Sequence, residues 1–444
     1  MNKNYITDGF PIPSIDETGR QYINYESDNM PKGKRFRVLS LFSGCGGMDL
    51  GFEGGFIAHR KSVINNPDFI IEDNGGNWVR LKPTLFHTVF ANDILSDAHK
   101  AWINFLPLFG CDPMNYHTES IVDLVKLHRD GCKVFPKNID VVTGGFPCQD
   151  FSVAGKRNGF NSHKDHMGKL RDVDECPTEE SRGKLYFWMK EVVDITRPKV
   201  FIAENVKGLV NLGSVKDIIQ RDFSTAGGNG YIVLNPQVLH AGNYGVPESR
   251  ERVIFVGIRK DGLRPEAHKA LMQEVIPADY NPYPTPTHAC TFVDASLPTF
   301  VSLADVFEGL PEPQHSKDPA QQNFSKAKYM GAHCQGQKEI ELNKIGPTIR
   351  SEHHGNIEFR RLSAKHGGLH ISELEQGLPE RRLTPRECAL IQTFPPDYPF
   401  VFKNGHGGTS LGASGAYKVI GNAVPPMLAY NIAMRLQTIW DKLF

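Results

Sequence analysis

Four short segments of this 444-residue chain carry side chains able to do covalent, proton-transfer or cofactor chemistry. Cys148 stands in Gly144-Gly145-Phe146-Pro147-Cys148-Gln149, directly after the apolar run Ile139 to Thr143. If that run is a strand, the thiol sits on a loop at the carboxyl edge of a sheet, where α/β proteins gather their ligand sites. A thiol is useful there only when its thiolate is accessible, and position alone leaves an inert buried cysteine equally open. Ala203-Glu204-Asn205-Val206 closes a second apolar run, so Glu204 points toward the same edge. Partial desolvation there would raise its pKa and let it donate a proton near neutral pH, although the residue alone reads as well as an ordinary helix N-cap acid. Arg250 and Arg252 alternate just before Val253 to Gly257, and an i, i+2 pair entering a strand shares one face. Such a pair holds a carboxylate, phosphate or carbonyl oxygen, or is simply solvated. Finally, the glycines of Phe42-Ser43-Gly44-Cys45-Gly46-Gly47 let backbone approach a cofactor through positive dihedrals, or form a plain tight turn. A nucleotide site would next need an acidic residue for ribose hydroxyls, and Asn92-Asp93 after Thr88 to Ala91 meets that need. The gap from Gly47 to Asp93 exceeds the usual ~20 residues, which marks 57–85 as an insertion.

Strands that could carry these groups are Val38 to Phe42, Thr88 to Ala91, Ile139 to Thr143, Val200 to Ala203 and Val253 to Gly257. Helical spacing runs from Leu185 to Ile195, with Arg197-Pro198 as its stop. Strands alternating with helices predict an α/β domain with a mostly parallel sheet. The chain divides into a polar extension (1–35), a catalytic and cofactor-binding domain (36–259), a smaller loop-rich module (260–400) and a returning segment (401–444). In that last segment Pro425-Pro426 precede Leu428, Ile432, Leu436, Ile439 and Leu443, the spacing of an amphipathic helix. Lys plus Arg and Asp plus Glu are each 50, so a polyanion-binding surface must come from local segregation of charge. A 40% hydrophobic content excludes bulk disorder. No apolar run approaches 18 residues and the N-terminus lacks a signal pattern, so a cytoplasmic protein with reduced thiols is expected.

In this order the motifs resemble the cytosine-5 DNA methyltransferases of bacterial restriction-modification type. The resemblance rests on Phe-x-Gly-x-Gly-Gly at 42–47, Gly-Phe-Pro-Cys-Gln at 145–149, Arg-Gly-x-Leu at 182–185 and Glu-Asn-Val at 204–206. It continues through Asn-Tyr-Gly-Val-Pro at 243–247, Arg-Glu-Arg at 250–252, Arg-x-Leu-Thr-x-Arg-Glu at 382–387 and Gly-Asn-Ala-Val-Pro at 421–425. It implies a Rossmann-like S-adenosylmethionine-dependent domain with a smaller target-recognition domain. The cofactor would meet Phe42, Ser43, Gly44, Gly46, Gly47, Asp93, Pro147, Leu185, Asn422 and Val424. Cys148, Glu204, Arg250 and Arg252 would act on a flipped-out cytosine, Gln149 and Ser152 would touch double-stranded DNA, and no metal is called for. A monomer paired functionally with a restriction endonuclease is the expected setting. Two departures stand out: Glu248 where the family usually has Gln, and Glu119-Ser120-Ile121 in place of Gly-Asp-Ile. Residues 161–181 also lengthen the active-site loop.

Target choice is expected from the motif-free stretch 260–380. There Gly346 to Arg350, followed by His353, His354, Arg360 and Arg361, supplies donors for guanine edges or phosphates, or forms a solvated basic loop. RNA methylation and a catalytically silent DNA-binding homologue are the competing readings. A nicotinamide oxidoreductase would leave Pro-Cys-Gln and Glu-Asn-Val without roles.

Overall fold

The computed structural model describes residues 14–15, 21–22, 30–73, 75–147, 185–211, 215–351 and 356–444. Near the N-terminus β1 (Ser14–Ile15) pairs antiparallel with β2 (Gln21–Tyr22). The domain proper starts with β3 (Phe36–Leu41), the glycine loop and α1 (Gly47–Glu53). The insertion follows as β4 (Ile57–His59), β5 (Ile70–Asp73) and β6 (Trp78–Leu81), a separate antiparallel sheet in the order β4-β6-β5. Then come β7 (Phe86–Asn92), α2 (Ser96–Ile103), β8 (Tyr116–His117), α3 (Ile121–Arg129) and β9 (Val141–Gly145). After the undescribed stretch, α4 (Leu185–Thr196), β10 (Val200–Val206) and α5 (Val215–Ser224) lead to β11 (Tyr231–Val233), β12 (Gln237–His240) and β13 (Glu251–Arg259).

The main sheet has the order β11-β13-β10-β9-β3-β7-β8, with β12 also on β13. Strands β10, β9, β3, β7 and β8 are mutually parallel, so their carboxyl ends share one edge. Their apolar runs face two cores by alternation: Val38, Val141, Val200 and Ile202 pack on one face, Leu39, Val142, Phe201 and Ala203 on the other. All five predicted strands exist, but β13 runs antiparallel to β10. Its predecessor β12 turns back on it through Ala241–Tyr244 without a helical crossover, and a parallel pairing would need such a crossover. The start of β13 therefore lies at the carboxyl edge of β10.

The second module is built from α6 (Pro265–Leu271), α7 (Leu303–Phe307), α8 (Pro319–Gln322), β14 (Phe359–Arg361), α9 (Ile371–Glu375) and β15 (Arg381–Arg382). The chain returns through α10 (Pro385–Ile391), α11 (Ala413–Asn422) and α12 (Pro426–Leu443). Leu428, Ile432, Leu436, Ile439 and Leu443 are all buried, as their spacing predicts. Phe394, Tyr398 and Phe400 join the same core as α1, as do Tyr283, Leu303, Ile340 and Ile349. Contact between α1 and α12 is close: a Cβ on Gly51 would overlap the Ala429 side chain, and one on Gly47 would overlap the Val424 carbonyl.

The insertion is not a loose loop. Phe56 and Phe69 set their rings edge-on to Tyr430, Lys61 Nζ lies 2.7 Å from Asp305, and Asn77 Nδ2 donates to Glu308 at 2.7 Å. It thus ties the first domain to α7. Lys34, at the end of the extension, is likewise anchored: its ammonium is 2.9 Å from the fully buried carboxylate of Glu53, which also meets His87 and Cys111.

Candidate active site

Glu204 lies two residues before the end of β10, in register with Gly145 of β9 and Ile254 of β13. A Cβ on Gly145 would stand 2.8 Å from Glu204 Oε2, so the glycine leaves room for this carboxyl over the end of β9. Its other oxygen lies 2.7 Å from Arg252 Nε, across the antiparallel pair. Burial raises the Glu204 pKa, and the positive charges of Arg252 and Arg250 oppose that rise without cancelling it. Such a group can serve as a proton donor beside a guanidinium. Next to it Asn205 Nδ2 donates to the carbonyl of Phe146 at 3.0 Å and fixes the exit of β9. That exit leads through Phe146 and Pro147 to Cys148. Cys148, Gln149, Ser152 and the 161–181 stretch lie outside the described residues.

Arg250 differs from what the i, i+2 pattern predicts. It is 1% exposed, and its guanidinium faces backbone: Nη1 donates to Ile349 O at 3.0 Å, Nη2 to Gly421 O at 3.1 Å and Ala423 O at 2.7 Å. It precedes β13 rather than belonging to it, which is why it leaves the face that Arg252 takes. Arg250 is a positioning residue that joins three chain segments. Glu248 completes this joint, accepting from Ile349 N at 2.6 Å with its side chain wholly buried 3.4 Å from Arg250. Burial raises its pKa too, against the pull of Arg250.

The glycine loop sits at the same edge, beyond β3. Phe42, Gly44 and Gly46 all have left-handed φ, 53°, 56° and 80°. Nothing lies within 4 Å of where a Gly44 Cβ would be, so this side of the loop is open. Its carbonyls are held from behind: Tyr116 Oη donates to Gly44 O at 2.9 Å, and Tyr398 Oη to Cys45 O at 2.7 Å. Ser43 Oγ donates to Ser40 Oγ at 2.9 Å, and Trp102 Nε1 to Asp49 Oδ2 at 2.7 Å. Asp93 accepts from Gly44 N at 3.0 Å and Leu95 N at 2.9 Å, which keeps its carboxylate at the mouth of the loop beside the exposed Ile94. Leu185 opens α4 and is buried, Pro147 is half-buried, Val424 is buried against Gly47, and Asn422 is exposed at the end of α11. The open loop, the acid and an apolar neighbour fit a nucleoside bearing a charged tail. Ser120 instead caps α3, accepting from Val122 N. Asn205, Tyr116, Tyr398 and Asp49 escape the sequence reading. Asn205 lies within a quoted motif, whereas nothing local marks the two tyrosines.

Two of the three proposed DNA-reading arginines need correction. Arg361 is fully buried, with Nη2 2.8 Å from Glu312 and 2.5 Å from Glu373, and Nη1 donating to Pro379 O at 3.0 Å. Arg360 Nη2 is 3.0 Å from the same Glu373 and its side chain is almost covered. Both are struts within the module: Arg361 bridges Glu312 and Glu373, and Arg360 shares Glu373. Arg350 remains partly exposed, 3.0 Å from Glu358.

The C-5 cytosine-specific DNA methylase family matches residues 36–438. Type II methyltransferase M.BsuRI of Bacillus subtilis is 31% identical over 413 residues, spanning 90% of this chain and 78% of the relative. M.BspRI of Lysinibacillus sphaericus is 29% identical over 93% of this chain and 82% of its own length. M.FnuDI of Fusobacterium nucleatum is 30% identical over 91% and 96%.

Proposed function

This chain belongs to the C-5 cytosine-specific DNA methylases, and from that premise we propose that it methylates carbon 5 of a cytosine flipped out of a specific duplex sequence, through a covalent Cys148 adduct. The observation that carries the reading is the Glu204–Arg252 pair, set on the strand edge beside the Phe146-Pro147 exit that leads to Cys148. The glycine loop, Asp93 and the Asn422 to Val424 segment would hold S-adenosylmethionine, which would supply an electrophilic methyl group when bound. Carbon 5 of cytosine is too electron-poor to attack it unaided. The Cys148 thiolate forms a bond to carbon 6 while the Glu204 carboxyl gives its proton to ring N3, which leaves an enamine with a nucleophilic carbon 5. Arg252 steadies the resulting Glu204 carboxylate and orients the base oxygen. Once carbon 5 is methylated, solvent water takes its proton, the electrons left at carbon 5 form the carbon 5–carbon 6 double bond as the sulfur–carbon bond breaks to return the thiolate, and N3 hands its proton back to Glu204. These atoms are out of reach inside a duplex, so the base must leave the stack at a cost of a few kcal/mol. Partnership with an endonuclease of the same specificity, protecting host DNA, accords with the type II relatives.

The test is a covalent trap. DNA carrying 5-fluorocytosine at the target cannot lose its carbon 5 substituent, so the wild-type protein should be held on it through Cys148, and Cys148→Ala should form no adduct while still binding cofactor. An adduct mapped to another cysteine overturns the assignment.

A further inference from the structure

The edge of the main sheet opposite the catalytic one carries a cavity of about 580 Å³, walled by the cationic side chains of Arg35, Arg37, Arg197, Lys199 and Arg259 and by two acids, Asp140 and Asp261. Four neighbouring strands assemble it. Arg37 lies at the start of β3, Asp140 directly precedes β9 and Lys199 directly precedes β10, while the reversed direction of β13 brings its last residue, Arg259, to the same edge. Backbone bonds set them level: Asp140 N donates to Arg37 O at 3.0 Å, Val200 N to Asp140 O at 3.0 Å and Arg259 N to Lys199 O at 2.9 Å. Arg197 joins them from the turn that follows α4.

The cations outnumber the acids that face them. Asp261 is shared, 2.9 Å from both Arg197 Nη2 and Arg259 Nε, and Lys199 Nζ stands 3.3 Å from Asp140, which also accepts from Arg37 N at 3.0 Å. Arg35 reaches out to Asp441 of α12 at 2.9 Å. Five positive groups against two negative ones leave the walls at +3, and Asp441 on the rim lowers this to +2, in a chain whose formal total is zero. This is the local segregation that a charge-balanced chain needs in order to attract an anion. The negative end of α4 accounts for a cation at Arg197, but not for the four that come from strand ends.

The cavity is also held in a set shape. Of the five non-glycine residues with left-handed φ among the described residues, two line it, Asn138 at 57° and Arg197 at 46°. Such backbone persists only where its surroundings over-determine it. At Arg197 they do: its amide donates to Val193 O at 2.9 Å, its carbonyl accepts from Arg259 Nη1, and its guanidinium meets Asp261. The side chains of Arg197 and Lys199 nonetheless stay 47% and 37% exposed, so both are open to a ligand. The six residues of β3 separate this edge from the catalytic one by roughly 20 Å, so a duplex engaged there does not fill the cavity.

We propose that this cavity binds a compact polyphosphate, at a site separate from those of the cofactor and the DNA. A short phosphate chain concentrates negative charge on the scale of the cavity. The planar guanidiniums of Arg37, Arg197 and Arg259 can each meet two of its oxygens, and Lys199 adds a point charge. A cavity of this volume takes a small molecule, not a double helix. Free triphosphate and the tail of a nucleoside triphosphate share this chemistry.

The experiment titrates the full-length protein calorimetrically at low ionic strength with sodium tripolyphosphate and, separately, with ATP. One saturable equivalent of tripolyphosphate is expected, with an affinity that stays within about twofold when duplex DNA is already bound. Arg197→Gln and Lys199→Gln should each weaken it by about five- to tenfold, with urea midpoints near wild type. Asp140→Asn keeps an acceptor for Arg37 N but removes the acid beside Lys199, so it should bind tripolyphosphate more tightly, a gain that misfolding cannot imitate. ATP binding tighter than tripolyphosphate names a nucleotide as the occupant, and equal or weaker binding names the free phosphate chain; either supports the site. Absence of saturable binding, affinity unchanged in both Gln variants, or displacement of tripolyphosphate by the duplex would overturn it.

Discussion

Glu204, Asp49 and Glu53 are carboxylic acids removed from water, and their surroundings drive them in different directions. Burial raises Glu204, so its acid form persists to higher pH than in a free side chain, and proton donation is lost as pH rises through that raised pKa. Glu204→Gln keeps the shape and a hydrogen bond but cannot give up a proton. Single-turnover methylation should slow by roughly 100-fold or more and lose its alkaline fall, and a rate within a factor of three of wild type would refute the role. Asp49, buried beneath the glycine loop, is raised from 3.8 to about 6 by desolvation against its bonds from Ser40 and Trp102. Its contribution to stability is fully present below pH 4 and is lost as pH rises through 6. Asp49→Asn should therefore be less costly at pH 7.5 than at pH 4, read from urea midpoints. One turn on, burial alone would raise Glu53, but the bond to His87 and the charge of Lys34 outweigh it and hold the carboxyl at about 2. Its contribution has the opposite sign: present above pH 4.5 and lost as pH falls through 2. Lys34→Met would leave that carboxylate buried without its ammonium and should cost about 3 to 5 kcal/mol in denaturant unfolding at neutral pH. Sequence alone shows Glu204 because it ends an apolar run. It does not show Glu53, whose partners lie 19 and 34 positions away.

Helix α1 joins the cofactor loop to the returning C-terminal helix through glycines. Gly47→Ala would press a methyl against the Val424 carbonyl, so α1 and the 423–425 turn must separate. The expected result is a loss of about 1 to 3 kcal/mol in stability, with S-adenosylmethionine affinity falling in calorimetric titration because Val424 belongs to both contacts. A variant with wild-type affinity would show that the turn is not part of the site. Apolar runs and three–four spacing make β3, β7, β9, β10 and α12 legible, since each buries a pattern written in its own residues. The direction of β13 is not, because it is decided by the short turn from β12, and a buried strand reads the same either way. Arg360 and Arg361 mislead for a related reason. A basic pair in a polar stretch looks solvated or ready for DNA until Glu312 and Glu373 are folded beside it, 49 and 12 positions from Arg361.

At the scale of the whole molecule, a chain with balanced charge sorts the basic residues of its second module into two groups, with the arginines mostly inside. Arg361, Arg381 and Arg382 shape the surface from within, while Lys326, Lys328 and part of Arg350 are left to face solvent. The insertion and the Glu248–Arg250 joint then lock that module to the catalytic edge. The joint has a thermodynamic corollary. One guanidinium holds the carbonyl of Ile349, whose neighbour Arg350 is proposed to meet DNA, and the carbonyls of Gly421 and Ala423, which bracket Asn422, proposed to meet the cofactor. Two ligands that each favour the clasped arrangement of this joint are expected to bind with coupled affinities. Whatever factor the cofactor product S-adenosylhomocysteine adds to DNA affinity, DNA must add to its affinity in return. Arg250→Lys, which cannot span three carbonyls, should shrink both factors equally toward one, closing a thermodynamic box whose four corners are separate titrations.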